Sequence, residues 1–226
     1  GHAAVVPNGA LATLASSGLV RHIALDRMVA GAMERTGATV GATAVRQSLG
    51  YDGSGVGVAI VDSGVTAWHD DLTSDPMARS GQRVVRFVDF VAGRQDPYDD
   101  YGHGIHVAGT VAGNGLVSAG ARSGIAPGAH LVILKVLDGA GRGRISDVVA
   151  ALGYVILNKD ALNIRIVNLS IGTGVYESYH RDPLTLAAQR AVAAGIVVVA
   201  SAGNYGRDPD GQTRYGGITA PGNAPW

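Results

Sequence analysis

The sequence contains no cysteine. Disulfide frameworks, thiolate zinc sites and cysteine nucleophiles are therefore excluded, although the compartment is not fixed by that absence. It also carries no net charge: Lys+Arg and Asp+Glu number 18 each. A balanced chain has no field to recruit nucleic acid or an anionic membrane, so neither is expected as a partner. No apolar run approaches the ~18 residues of a membrane span. Residues 1–20 lack the basic start and unbroken apolar centre of a secretory leader.

What the sequence has in excess is glycine, 34 of 226 residues, roughly double the usual share. The glycines follow no collagen period. They punctuate apolar runs, which points to tight turns and close backbone approaches. With 46% apolar residues the chain can build a sizeable core, and its length suits one large domain or one domain plus an appendage.

From about residue 54, short β-branched runs alternate with helix-like segments. The runs are 56–61, 83–90, 130–136, 164–170 and 196–201. They are near-continuously apolar, as expected of strands covered on both faces. Helical spacing appears over 145–158 and, in small residues, over 106–113. A third helix is punctuated by Asp182 as N-cap, Pro183 at the first position and Gly195 at the stop. This alternation predicts a three-layer α/β fold, a mostly parallel central sheet with helices on both faces. Residues 1 to about 45 read as an extension leading into the domain.

In open parallel sheets, functional groups gather past the carboxyl ends of strands. Those ends here carry Asp62-Ser63-Gly64, Ser170-Ile171-Gly172 and Ala202-Gly203-Asn204, while His103 and His106 begin a helix. A dinucleotide reading fails, because GSGVG (53–57) precedes its strand instead of following it. A metal reading of the two histidines fails too. Gly104-Ile105 supplies no general base, and no further His/Cys cluster completes a site. Acyl transfer fits better. A strand-end carboxylate can orient an imidazole, the imidazole can move a proton, and an amide can donate to an oxyanion.

Four stretches carry a resemblance: VAIVDSGV (58–65), GHGIHVAGTVAG (102–113), VNLSIG (167–172) and VVVASAGN (197–204). They resemble, in order, the signature blocks of subtilisin-like serine proteases, over about residues 38–226. The resemblance implies that Asp62 is the triad aspartate, His103 the general base and acid, and Asn204 the oxyanion donor. It implies that Leu169, Ser170, Ile171 and Gly172 form one wall of the substrate cleft, faced by an edge segment with Gly141 and Gly143. An extended peptide or protein substrate would add between them as a strand. His106 is then expected to be a packed structural residue, and secretion is implied by the family.

Several departures qualify this. The family's nucleophile lies in a G-T-S-M-A-like segment, and no serine here stands in one. Ser63 sits beside Asp62, and Ser170 belongs to the substrate-pairing strand. The expectation is an N-terminal portion of a longer protease, truncated within the fold and inert by itself. Ile105 replaces the usual threonine between the histidines. Residues 89–104 offer Asp89, Asp96, Asp99 and Asp100 to a structural calcium, but Ala92 and Arg94 fall where acidic ligands would be expected. A solvated acidic loop is the better reading, with no metal site and no catalytic cofactor. Residues 20–36 resemble the end of a pro-segment, a self-inhibitory partner, giving a division into 1–37 and 38–226. The alternative of another class is a non-catalytic peptide-binding or scaffold protein on the same sheet. Such a protein would need none of Asp62, His103 and Asn204.

Overall fold

The computed structural model describes residues 6–20, 33–75, 77–208 and 210–226. The chain divides into two units, Gly1–Ala32 and Met33–Trp226. In the first, the described residues form a 3-10 turn over Asn8–Ala10 and a short helix α1, Leu11–Ala15. Most of the pro-segment-like stretch, residues 21–32, lies outside the described residues. The second unit opens with helices α2 (Met33–Thr39) and α3 (Ala42–Leu49). The expected division after residue 37 thus falls inside α2.

The remainder is built on strands β1 (Gly57–Asp62), β4 (Val84–Asp89), β5 (His130–Lys135), β6 (Ile164–Leu169) and β7 (Val197–Ala200). They form one five-stranded sheet in the order β4-β5-β1-β6-β7, with every pair parallel. A separate two-stranded hairpin joins β2 (Thr73–Asp75) and β3 (Ser80–Gln82). The helices connecting the sheet are α4 (His103–Ala112), α5 (Ile145–Asn158) and α6 (Pro183–Ala193).

Alternation along β1 explains why its sequence is apolar throughout. Ala59 and Val61 face one core with Val148, Leu152 and Val155 of α5 and Leu184 and Ala187 of α6. Val58 and Ile60 face the opposite core with Ala108 and Ala112 of α4. Both sets are buried, so period-two patterning is erased. The α6 signals work as anticipated: the Asp182 carboxylate accepts the Thr185 N–H at 2.7 Å, and Gly195 takes φ +82°.

The outer strands are less protected. On β7, Val198 and Ala200 pack towards α5 and α6. Val197 and Val199 point to the other face and remain 59% and 49% exposed.

Candidate active site

The carboxyl end of the central strand β1 delivers Asp62 fully buried. Its Oδ1 accepts the Ser63 N–H at 2.7 Å. The His103 ring lies across the same carboxylate, Nδ1 at 2.7 Å from Oδ1 and 2.9 Å from Oδ2. A carboxylate oxygen accepts, so the neutral imidazole carries its proton on Nδ1 and presents the Nε2 lone pair to the cleft. The His103 side chain is 43% exposed, so a base oriented from below is open above.

The start of α4 is held by side chains from two directions. A helix leaves its first N–H groups without partners. Here the Gly104 N–H donates to Ser63 Oγ and the Ile105 N–H to Asp99 Oδ2, both at 2.8 Å. Asp99 Oδ1 also accepts the N–H of Gly102 at 2.7 Å and of Tyr101 at 3.2 Å. Burial pushes the Asp99 carboxyl up. The N–H donors of Gly102 and Ile105, the Ser63 hydroxyl and the Tyr101 N–H outweigh it, and the net shift is downward. The approach of helix to strand end is glycine on glycine: a Cβ at Gly104 would run into the Gly64 carbonyl oxygen.

Lys135, the ladder neighbour of Asp62, is also fully buried. Its ammonium donates to Ser63 O at 2.7 Å, Leu137 O at 2.8 Å and Asp100 Oδ1 at 2.6 Å, and lies 4.5 Å from the Tyr98 ring centroid.

His103 opens onto a cleft of about 480 Å³. Asn204, Gly141, Gly143, Ser170, Ile171 and Gly172 line it, together with Tyr101, Leu137, Ile145, Val148, Thr173 and Leu184. Two arginines, Arg142 and Arg144, complete the lining. The expected site residues therefore converge, with one exception. Leu169 is fully buried in the core on the α5 and α6 face, and its carbonyl accepts the Ser201 N–H at 3.0 Å. Strand alternation turns it away from the cleft that Ser170 lines. Ser201 Oγ donates to Ile171 O at 2.9 Å and so braces that wall. Asn204 is exposed and its amide has no hydrogen-bond partner among the described residues, leaving its donors available.

Two expectations are corrected. His106 is exposed, not packed; the helix turns it outward while Ala108 and Ala112 face the core. The acidic loop is not simply solvated. Asp89 accepts the N–H groups of Val91, Ala92 and Arg94 and the Tyr98 hydroxyl. Asp99 caps α4, and Asp100 pairs with Lys135. Arg94 stacks on Tyr98 with its guanidinium carbon 3.9 Å from the ring centroid. Among the described residues no group of three or more His, Cys, Asp or Glu is placed to hold a metal ion.

Sequence reasoning placed Arg142 in the edge segment Gly141-Arg142-Gly143, but missed Asp99 and Lys135 as organisers of the site and Arg144 as part of its lining. Arg144 follows the recognised glycine segment, but an isolated exposed charge carries no periodic signal.

Comparison with known proteins gives a consistent picture. The sequence profile described as "Subtilase family" matches residues 53–225. The chain is 36% identical over 226 residues to serine protease AprX of Bacillus subtilis (strain 168), covering 97% of this chain and 48% of that protein. It is 38% identical over 162 residues to subtilisin E of the same organism, covering 70% of this chain and 37% of that one. Among solved structures, a cold adapted subtilisin-like serine proteinase matches with a TM-score of 0.56 at 31% identity, over 70% of this chain and 50% of the other. The chain thus spans at most about half the length of these relatives.

Proposed function

The chain belongs to the subtilase family, and from that premise we propose that it forms part of the catalytic domain of a serine endopeptidase. The observation that carries this reading is the pair of His103 Nδ1 and the buried Asp62 carboxylate, opening onto a cleft beside Asn204.

In this mechanism a peptide lies extended between the 141–143 edge and residues 170–172. A serine hydroxyl attacks the scissile carbonyl carbon and passes its proton to His103 Nε2. Asp62 holds the ring and stabilises the imidazolium. The carbonyl oxygen becomes an oxyanion that accepts a hydrogen bond from the Asn204 side-chain amide. His103 then donates its proton to the leaving amine, and water, activated by the same nitrogen, releases the acyl group.

The serine is proposed to come from outside these 226 residues. Ser63 Oγ is engaged at the start of α4, Ser170 Oγ accepts from Asn168 Nδ2, and Ser201 Oγ donates to Ile171 O. These 226 residues by themselves are accordingly proposed to be inactive. The reading includes peptide or protein substrates, no cofactor for catalysis, residues 1–37 as remnant of a self-inhibitory pro-segment, and secretion. No helix among the described residues is long and apolar enough to cross a membrane.

The test is peptide hydrolysis by the full-length protein. In subtilisin itself, loss of the histidine costs about 10⁶ in turnover and loss of the aspartate about 10⁴. Loss of the asparagine donor costs about 10²–10³. His103→Ala, Asp62→Ala and Asn204→Leu are expected to reproduce that ranking with little change in KM. Turnover that survives His103→Ala would remove the reading.

A further inference from the structure

The charge lining the cleft has one sign. Among the described residues Arg142 and Arg144 border it and no carboxylate does. Both side chains are exposed. Among the described residues the Arg144 guanidinium has no ion-pair partner, and Arg142 has only a long one, 3.8 Å from the Asp138 carboxylate. Asp138 is already occupied. It accepts the N–H groups of Arg142 and Ala140, each at 2.9 Å, and these donors hold its carboxyl below the usual range. The nearby acids, Asp138 and Asp147, line a neighbouring hollow of about 390 Å³ with Phe90 and Val91, and Arg142, Gly143 and Arg144 line both that hollow and the cleft. The two carboxylates therefore line only the neighbouring hollow, while the two arginines border it and the cleft beside His103 alike.

Next to the guanidinium groups the same cleft presents Leu137, Ile145 and Val148. An apolar surface rimmed by arginines matches a side chain with a hydrocarbon stem and an anionic tip. We propose that Arg142 and Arg144 make this cleft select peptides that place an acidic side chain, glutamate ahead of aspartate, against the 141–144 segment. The longer glutamate stem covers more of the apolar surface while its carboxylate reaches the planar donor fork of a guanidinium. The contact forms at an exposed rim, so it is modest in size and weakened by salt. It selects substrate and takes no part in bond breaking. The inference rests on the peptide-hydrolysis reading above.

The experiment uses the full-length protein and a fluorogenic peptide set. Glu, Gln or Lys is scanned in turn through each position flanking the cleaved bond. At one position kcat/KM is expected to favour Glu over Gln by roughly 3- to 10-fold, the size of one or two exposed ion pairs. The ratio should fall towards one as salt is raised. In the double variant Arg142→Gln, Arg144→Gln the same ratio should be near one at low salt. In Arg142→Glu, Arg144→Glu the preference should pass to Lys. Cleavage with no Glu preference at any position, or a preference that survives the double variant, overturns the inference and leaves the protease reading intact. No cleavage of any peptide overturns that reading and the inference with it.

Discussion

At the scale of single residues, the site depends on groups that never touch a substrate. Asp99 spends its carboxylate on three N–H groups around the start of α4, and one of its neighbours is Ser63, adjacent to Asp62. Its folded pKa lies below the ordinary value, so the stabilisation is fully present above the unfolded pKa of about 3.9 and is lost as pH falls through the lower folded value. Asp99→Asn should therefore reduce stability at neutral pH and flatten the acid limb of a urea-midpoint-versus-pH curve. An unchanged acid limb would show that Asp99 is not the group responsible. Gly104 makes a second residue-scale case. Adding a methyl group there forces α4 away from Gly64, and overpacking of this kind costs about 1–3 kcal/mol. Gly104→Ala should lower the urea midpoint accordingly and shift or abolish the downfield Nδ1–H resonance of His103. A retained resonance would mean that the helix start tolerates the displacement.

At the scale of elements, the sheet leaves a specific weakness at β7. Its α5 and α6 face is covered, but Val197 and Val199 stand on the other face, which α4 covers only near β1 and β5. An exposed apolar edge strand is a template for self-association. Val197→Lys with Val199→Lys should reduce association of the 226-residue chain in sedimentation velocity while leaving its far-ultraviolet circular dichroism unchanged. Equal association in both forms would exonerate the edge. The strands of this sheet were legible in the sequence because their burial on both faces made long β-branched runs. Helices α5 and α6 were legible through apolar spacing and through Asp182, Pro183 and Gly195. The β2–β3 hairpin was not. Its strands, TSD and SGQ, have no apolar alternation and pair outside the main sheet. Likewise the outward face of His106 could not be separated from an inward one while every other residue of α4 after His103 was small or apolar.

At the scale of the whole molecule, the polar strand ends of the candidate site were readable because a parallel sheet gathers such ends along one edge. The cross-links that fasten those ends were not readable, since they join positions far apart in the chain. Lys135 is one of them. In the sequence it is one polar residue ending an apolar strand; in the fold its buried ammonium joins Ser63 O after β1, Leu137 O on the way to the cleft edge, and Asp100 in the loop before His103. The three partners do not weigh equally. The Asp100 side chain is 48% exposed, and an ion pair with one solvated member contributes only about 0–1 kcal/mol. A buried carbonyl stripped of its donor costs about 1–3 kcal/mol. Lys135→Met keeps the hydrocarbon volume and removes the donors, so it should destabilise by about 2–5 kcal/mol in urea unfolding. Asp100→Asn should cost less than about 1 kcal/mol. Because the lost contacts converge on the segments carrying Asp62 and His103, hydrogen exchange in Lys135→Met should speed up first at residues 62–64 and 99–104. Uniform acceleration across the sheet would instead mean that Lys135 serves the core as a whole and has no particular hold on the site.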